Sequence, residues 1–282
     1  MTTSKENIQR NIEVYDNLYA RTNVEAICAK VRNQKEFLRE AIATDTSWHG
    51  FWHGDFAEQI RGKTILEVGC GDGLNALIMA TLGAKLVVAN DISTESGRII
   101  TDASSRLNLG NIEPRCGNLS DLSLPLSSFD MVVGKDFLHH LTHELELSFL
   151  KSSTRLLNRQ GSARFFEPAV NSRWLDKLRW ITPVRGRPSI LQHQAFRDWK
   201  RKDAHPERDN SSRHFYEIGK AHFESVELVP LASIERFCRL LRRSEFQRML
   251  RRWSHRAETR LPMWVRWRAA RSQLIIYRTP KM

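Results

Sequence analysis

Residues 65–73, ILEVGCGDG, constrain the fold of this chain more than any other short stretch. An apolar run of strand character meets an acid, Glu67, and then three glycines, and a helical pattern begins at Leu74. Glycines permit positive φ and let a ligand approach the backbone closely, while a helix N-terminus offers unpaired N–H groups and the positive end of its dipole. The stretch therefore predicts a strand–loop–helix unit that holds a nucleotide, with a tight structural turn as the alternative.

Short runs of strand character alternate with helical patterns from residue 63 onward. The runs are TILEV, KLVVAND, IEPRCGN, FDMVVGK and SARFFEP, with helical patterns over residues 74–82, 93–107 and 141–157, and with FESVELVPL and SQLIIYRTP near the C-terminus. This alternation is typical of βαβ units. It predicts an α/β fold: a doubly wound, mostly parallel, seven-stranded Rossmann-like sheet with helices on both faces.

Three segments flank or interrupt that pattern. Residues 1–60 are helical and polar in pattern and predict an N-terminal arm or lid. Residues 61–282 form the main domain, which includes an insertion after strand five, residues 171–221, and a basic amphipathic helical segment, residues 234–272. Aromatic residues mark both the arm and the insertion, where they either pack as a local core or line a substrate pocket: Trp48, Phe51, Trp52, Phe56, Trp174, Trp180, Phe196, Trp199, Phe215 and Tyr216.

The glycine spacing narrows the choice of nucleotide. Gly69, Gly71 and Gly73 read G-x-G-x-G, which differs from the dinucleotide fingerprint G-x-G-x-x-G, and no G-K-[ST] follows. Glu67 lies two residues before the first glycine, where a carboxylate suits a cationic ligand better than a pyrophosphate. S-adenosylmethionine, which carries an amine and a sulfonium, fits that requirement.

ILEVGCGDG resembles motif I of the class I S-adenosylmethionine-dependent methyltransferases, and its companions are present. Asp91 ends the second strand, CGNLSDLSLPLSSFDMVVGKDFLHHL resembles the third loop and fourth strand of that family, and LLNRQGSARFFEP resembles its turn into strand five. The resemblance covers about residues 61–168, and the last two strands more weakly. One departure is Gly117–Asn118, where the family commonly has Gly-Asp.

The resemblance implies S-adenosyl-L-methionine as cofactor and a set of residues that contact it. Asp91 would accept both ribose hydroxyls, Ile92 would lie against the adenine, Asn118 would bond the adenine through its amide, and Lys135 would lie near the methionine part. The implied cofactor-binding residues are Glu67, Gly69, Cys70, Gly71, Asp91, Ile92, Asn118, Leu119 and Lys135.

Methyl transfer needs alignment of the acceptor and, for some acceptors, removal of a proton. His140, in DFLHHL after strand four, is the candidate general base, because a histidine titrates near neutral pH. The alternative is that the pair His139–His140 caps or packs the next helix. Glu167, at the end of strand five, is a second candidate, which would either orient a substrate hydroxyl or only hold backbone groups. Asp136 is a third candidate for substrate contact.

Metal and disulfide chemistry are not expected. The cysteines are Cys28, Cys70, Cys116 and Cys238, which are far apart and show no zinc spacing, and the histidines show no H-E-x-x-H pattern. No long apolar stretch and no signal-like N-terminus is apparent. The expected location is cytoplasmic, with peripheral contact to the inner membrane face as an option.

The net charge of +12 suggests an anionic partner. Much of it lies between residues 234 and 272, which carry twelve arginines against three glutamates. A basic amphipathic helix with tryptophan suits an anionic membrane surface, and it also suits nucleic-acid phosphates. The remaining alternative is a solvated basic face on a helix whose apolar side packs against the sheet.

Three functions are therefore open. The first is methyl transfer to an O or C atom of a small or lipid-like molecule, with a membrane surface as one setting. The second is methylation of RNA or protein, with the arginine-rich segment binding the macromolecule. The third is a binding protein that retains the fold without catalysis, against which the intact Glu67, glycines and Asp91 argue.

Overall fold

A computed structural model describes residues 4–184, 186–203, 205–242 and 244–281. Arg243 of the basic segment, residues 1–3 of the arm and Arg185 of the insertion lie outside the described residues. The helices are α1 Ser4–Tyr19, α2 Val24–Arg32, α3 Gln34–Thr44, α4 Thr46–Phe51, α5 Phe56–Gln59, α6 Leu74–Thr81, α7 Thr94–Arg106, α8 His143–Leu156, α9 Arg173–Ile181, α10 His193–Lys202, α11 Ser212–His222, α12 Glu245–Glu258 and α13 Met263–Ala269.

The strands form one seven-stranded sheet in the order β3-β2-β1-β4-β5-β7-β6. Their bounds are β1 Thr64–Val68, β2 Leu86–Asp91, β3 Ile112–Cys116, β4 Phe129–Lys135, β5 Leu157–Pro168, β6 Phe223–Leu231 and β7 Ser272–Pro280. Strands β1 to β5 pair in parallel, whereas β7 is antiparallel to both β5 and β6. The predicted α/β class is confirmed, and the sheet is mixed because β7 runs against its neighbours.

Helices cover both faces of the sheet, as its strand pattern predicts. One core joins the inner side chains of β1 and β2 to α2, α6 and α7, and it includes the aromatic residues Phe51, Trp52 and Phe56. The other core joins β4, β5 and β7 to α8 and α11. The three aromatics before the glycine loop therefore pack into the core.

The insertion and the basic segment are helical in pieces. Residues 171–221 contain α9, α10 and α11, and a cluster of Trp180, Phe196 and Trp199 has ring centroids 5.7–6.3 Å apart. Phe215 belongs to the main core, while Trp174 is exposed. Four of the six insertion aromatics thus pack in a core, and Trp174 and Tyr216 are exposed. The basic segment is a 3₁₀ turn at Glu235–Leu240 followed by α12 and α13, with Pro262 between the two helices.

Candidate cofactor and active site

The glycine loop at the end of β1 requires glycine at specific positions. Gly69, Gly71 and Gly73 have φ of +61°, +58° and +73°. A Cβ at Gly69 would lie 2.6 Å from Phe137, and a Cβ at Gly73 would lie 2.2 Å from Ile100. Positive φ and absent side chains therefore keep this backbone open above the start of α6.

A cavity of about 530 Å³ lies over this loop, at the carboxyl ends of β1, β2 and β4. We call it the cofactor cavity. The ends of parallel strands are where open α/β sheets bind ligands. All nine predicted cofactor residues line the cavity, in the order Glu67, Gly69, Cys70, Gly71, Asp91, Ile92, Asn118, Leu119 and Lys135.

Asp91 fixes the loop from the end of β2. Its carboxylate accepts hydrogen bonds from the backbone N–H of Gly71 at 2.9 Å and of Ser93 at 2.9 Å. Burial raises the pKa of this carboxyl, and the N–H donors of Ser93 and Gly71 oppose that rise. A carboxylate held in this way has lone pairs left for ligand hydroxyls.

Glu67 is a buried acid whose second oxygen has no partner. The residue is 1% exposed, and its Oε2 forms no hydrogen bond with any described residue. Burial raises the pKa of Glu67 to about 8, and the charge of Lys135 partly opposes the rise. A cation placed against this oxygen would favour the carboxylate form.

The first helix supplies lining residues that the sequence analysis missed. Asn7, Asn11, Tyr15 and Tyr19 recur every four residues and all line the cofactor cavity, and a Cβ at Gly71 would meet the Tyr19 hydroxyl at 2.9 Å. Asn11 Oδ1 is buried and has no hydrogen-bond partner among the described residues. The sequence signal that could have indicated this is the four-residue spacing of these polar side chains, which places them on one face of a helix. The arm therefore contributes to the cavity through α1.

Polar groups at the end of β4 complete the wall. Lys135 Nζ lies 3.8 Å from Asp136 and 5.8 Å from the centre of the Trp48 ring. Asp136 has a φ of +55°, which is uncommon for a residue with a side chain. Burial raises the pKa of Asp136, against the opposing charge of Lys135.

Glu167 does not line the cofactor cavity, and its contacts fit the alternative expectation, in which it holds backbone groups. It is fully buried. Its Oε1 accepts from the backbone N–H of Phe137 and Leu138 at 2.9 and 2.6 Å, and its Oε2 lies 2.6 Å from His139 Nδ1. Glu167 is therefore a positioning residue for the loop that carries the histidine pair.

The two histidines differ in role because they differ in partners. Burial lowers the pKa of His139, but the adjacent Glu167 carboxylate outweighs burial and leaves that pKa raised. Burial and the nearby His139 and His205 lower the pKa of His140 well below its usual value. His140 lines the cofactor cavity, and its Nε2 lies 3.2 Å from the Tyr15 hydroxyl. Its Nδ1 is buried without a partner among the described residues.

Residues of the insertion contact the loop that carries His139 and His140. Arg208 donates to the carbonyl oxygens of Leu138 and Leu141 and pairs with Glu146 at 2.7 Å. His205 brings its ring next to the histidine pair, so that one nitrogen from each of His139, His140 and His205 lies within 4.8 Å of the others. Three imidazoles so placed could hold a transition-metal ion, a feature that the sequence spacing did not predict.

The comparisons with known proteins agree with this geometry. Residues 65–161 match a family model described as a methyltransferase domain. The ribosomal protein arginine N-methyltransferase of Schizosaccharomyces pombe is 34% identical over 101 residues, 36% of this chain and 19% of that protein. The ubiquinone biosynthesis O-methyltransferase of Neisseria meningitidis is 34% identical over 83 residues, 29% of this chain and 35% of that protein. The chain thus spans only about a fifth to a third of these relatives.

A solved structure extends the likeness to most of the chain. Geranyl diphosphate C-methyltransferase from Streptomyces coelicolor, in complex with Mg²⁺, geranyl diphosphate and S-adenosyl-L-homocysteine, matches with a TM-score of 0.50 at 14% identity. The match covers 81% of this chain and 77% of that one. At this identity the match shows a shared fold. The family model and the glycine loop identify residues 65–161 as a class I S-adenosylmethionine-dependent methyltransferase domain, whose cofactor is S-adenosyl-L-methionine.

Proposed function

We propose that this chain transfers a methyl group from S-adenosylmethionine to an O or C atom of a small or lipid-like molecule. The observation that carries the proposal is the cofactor cavity itself, in which the buried acids Glu67, with one unpaired oxygen, and Asp91 lie beside an open glycine loop. An electron-rich wall of this kind fits an ammonium and a sulfonium, and it disfavours a pyrophosphate.

Each wall residue has a distinct part in the proposal. Glu67 accepts the ammonium of the cofactor through its free Oε2, and Asp91 accepts the ribose hydroxyls while it holds Gly71 in place. Asn118 and Leu119 lie on the loop after β3, where the adenine would pack beside Ile92. The phenols of Tyr15 and Tyr19 close the cavity from α1, and burial keeps both neutral by raising their pKa, that of Tyr15 to about 12.

S-adenosylmethionine supplies an activated methyl group, so the protein has to align the acceptor and accept a proton where one is lost. His140 is the proposed base. Its imidazole is neutral at neutral pH because burial lowers its pKa, which also makes it a weaker base than an ordinary histidine. Glu167 and His139 act by holding the loop, and they do not touch the acceptor.

The lipid-like part of the proposal rests on α12 and α13. Helix α12 buries polar residues, among them Gln247, Ser254 and Glu258, whereas the side chains of Phe246, Met249 and Trp253 are more than half exposed. Met263 and Trp264 continue this apolar surface, and Arg256, Arg260 and Arg268 are exposed beside it. The side chains that α12 buries are mainly polar, which supports the membrane-surface alternative over a packed apolar face. Exposed tryptophan with arginine suits an anionic membrane surface.

Among the described residues, no helix combines the length and the apolar character needed to cross a bilayer. Contact with a membrane would thus be made from its surface. The exposed arginines and aromatic residues of α12 and α13 would then bring the enzyme to an acceptor that is partly embedded in the lipid.

The test is transfer of label from methyl-tritiated S-adenosylmethionine to fractions of a cell extract. We expect label in the organic-soluble or small-molecule fraction, and a loss of that label when S-adenosylhomocysteine is added. Label in acid-precipitated RNA or protein would instead support the macromolecular alternative, in which the arginine-rich segment holds the substrate. Absence of label in every fraction, with cofactor binding intact, would contradict the proposal.

A further inference from the structure

A second cavity lies beside the cofactor cavity at the same edge of the sheet. Its volume is about 880 Å³, and Asp136 lines both cavities. Phe166 and Pro168 at the end of β5 form its floor, with Ser272 at the start of β7. A molecule that fills it would therefore reach toward the methyl group of a bound cofactor.

Five arginines converge on this space, and we call it the arginine cavity. They come from three separated parts of the chain: the end of α9, the 3₁₀ turn with the start of α12, and the residue before β7. The five are Arg179, Arg239, Arg242, Arg251 and Arg271. Arginines on a merely solvated face would point outward and apart, whereas these line one concave wall.

The wall has too few acids to neutralise them. Glu235 is fully buried and lies 3.2 Å from Arg251 and 3.7 Å from Arg271, so one carboxylate serves two guanidinium groups, and Asp176 lies 3.9 Å from Arg179. Asp45 accepts from the backbone N–H of Ser47 and Trp48 as the cap of α4. Asp136 lies next to Lys135.

Several guanidinium donors are left over. The Nε atoms of Arg179 and Arg271 are buried and form no hydrogen bond with any described residue. The side chain of Arg239 forms no hydrogen bond or ion pair within residues 4–184, 186–203, 205–242 and 244–281. Burial and the charges of Arg271 and Arg179 lower the pKa of Arg239 to about 10. Buried donors without acceptors are costly, so the site is arranged for an acceptor that comes from outside.

On these observations, and resting on the proposed methyl transfer, we propose that the arginine cavity binds the phosphate or diphosphate group of the methyl acceptor. Guanidinium groups match phosphate oxygens in pairs of parallel hydrogen bonds. Leu240, Leu241 and Val184 add an apolar part to the same wall. The acceptor is therefore an amphiphile whose anionic end lies among the arginines and whose methylated atom lies near Asp136.

The experiment is calorimetric titration of the full chain with inorganic pyrophosphate, with S-adenosylmethionine titrated separately. Arg239→Gln should weaken pyrophosphate binding at least tenfold and leave the affinity for S-adenosylmethionine unchanged. It should also raise Tm, because it removes one of several repelling charges. Arg248→Gln is the matched control, since Arg248 is exposed on α12 and pairs with Glu245; it should change neither affinity.

Vesicles distinguish the two sources of such a group. If phosphatidylcholine vesicles with phosphatidic acid displace pyrophosphate from the wild-type chain, the phosphate belongs to a lipid; if they do not, it belongs to a soluble ester. The proposal is overturned if pyrophosphate fails to bind at millimolar concentration, or if Arg239→Gln binds it as well as Arg248→Gln does. Failure of S-adenosylmethionine alone to bind would overturn the proposed methyl transfer and leave the anion site standing.

Discussion

The cofactor cavity and the arginine cavity meet at Asp136, and they are opposite in charge. The first is lined by Glu67, Asp72 and Asp91 together with two lysines, and the second is lined by five arginines together with one further acid, Asp45. The excess charge therefore favours a cationic methyl donor in the first and an anionic acceptor in the second. Opposite charges at one edge of the sheet can therefore direct two substrates to different cavities before any specific contact is made.

The two cavities also differ in how their walls are built. The cofactor cavity is made by loops that follow β1, β2, β3 and β4, which are neighbours in the sheet. The arginine cavity is assembled from α4, α9, α12 and the start of β7, which are far apart in sequence. The first can be read from a local motif, and the second exists only after the chain has folded.

The substitution Glu67→Gln is expected to have the largest effect, because it removes the buried acid of the cofactor cavity. We expect S-adenosylmethionine affinity to fall by about 3–5 kcal/mol, the cost of removing one partner of a buried charge pair. Methylthioadenosine, which lacks the ammonium, should bind as before. Calorimetry with both ligands measures the difference.

The matched control for that substitution is Glu113→Gln, because Glu113 is exposed on β3 and pairs with Arg115. It should leave both affinities unchanged. An equal loss of both ligands in Glu67→Gln would mean that Glu67 supports the loop and does not hold the ammonium.

Gly73→Ala tests whether the glycine loop can accommodate a side chain at this position. The new Cβ would meet Ile100 at 2.2 Å at a φ of +73°, so strain and overpacking together should cost about 2–4 kcal/mol. Gly62→Ala is the control, because its φ is +70° and no heavy atom lies within 4 Å of its Cβ. Urea unfolding measures both; equal losses would show that backbone strain alone accounts for the effect.

The sequence predicted the cofactor cavity well because its residues follow strand ends within a local motif. It failed for Asn11, Tyr15 and Tyr19, because α1 meets the glycine loop only through tertiary packing. For Glu167 it left substrate contact and backbone support open, and the hydrogen bonds from the backbone N–H groups of residues 137–139 favour the second. A side chain at a strand end can serve a ligand or a loop, and its type does not say which.

The orientation of α12 is a second feature that could not be predicted from residue types alone. Helical spacing predicted an amphipathic helix, but spacing cannot say which side faces the protein. Glu258 accepts from the backbone N–H of Ala232 and Ser233, and Gln247 donates to the carbonyl oxygens of Cys238 and Leu241. These bonds turn the polar side inward and leave the apolar side at the surface.

The acidity of the cofactor cavity predicts a dependence on pH. The pKa of Glu67 is raised to about 8 without a ligand, and an ammonium binds its carboxylate form, so binding releases a proton. S-adenosylmethionine affinity should therefore rise with pH between 6 and 7.5, by up to about 1.4 kcal/mol per unit. In Glu67→Gln, calorimetry should find this slope absent; an unchanged slope would assign it to another group.

The same raised pKa has a consequence for stability. The unfolded carboxyl ionises near its usual pKa of 4.5, well before the folded one. The unfolded state then binds fewer protons, so this group lowers the stability of the ligand-free protein as pH rises from about 4.5 to 8. S-adenosylmethionine should offset that loss.

Asp91→Ala separates the ribose contact from the ammonium contact. We expect a loss of about 1–3 kcal/mol, as for hydrogen bonds to a charged acceptor, and the loss should be the same for S-adenosylmethionine and methylthioadenosine because both carry the ribose. Asp102→Ala, on the exposed side of α7, serves as the control. A loss confined to S-adenosylmethionine would contradict the ribose assignment.

The smallest expected effect concerns the outer surface beside the arginine cavity. Trp253 is 59% exposed on α12, and Trp174 is 78% exposed on α9. If α12 meets an anionic bilayer, Trp253→Ser should weaken sedimentation with phosphatidylglycerol vesicles by about 1–2 kcal/mol, since part of one large side chain no longer leaves water. Trp174→Ser should change it less. Equal effects would mean that exposed tryptophans bind vesicles regardless of their position, and α12 would then have no specific role in membrane contact.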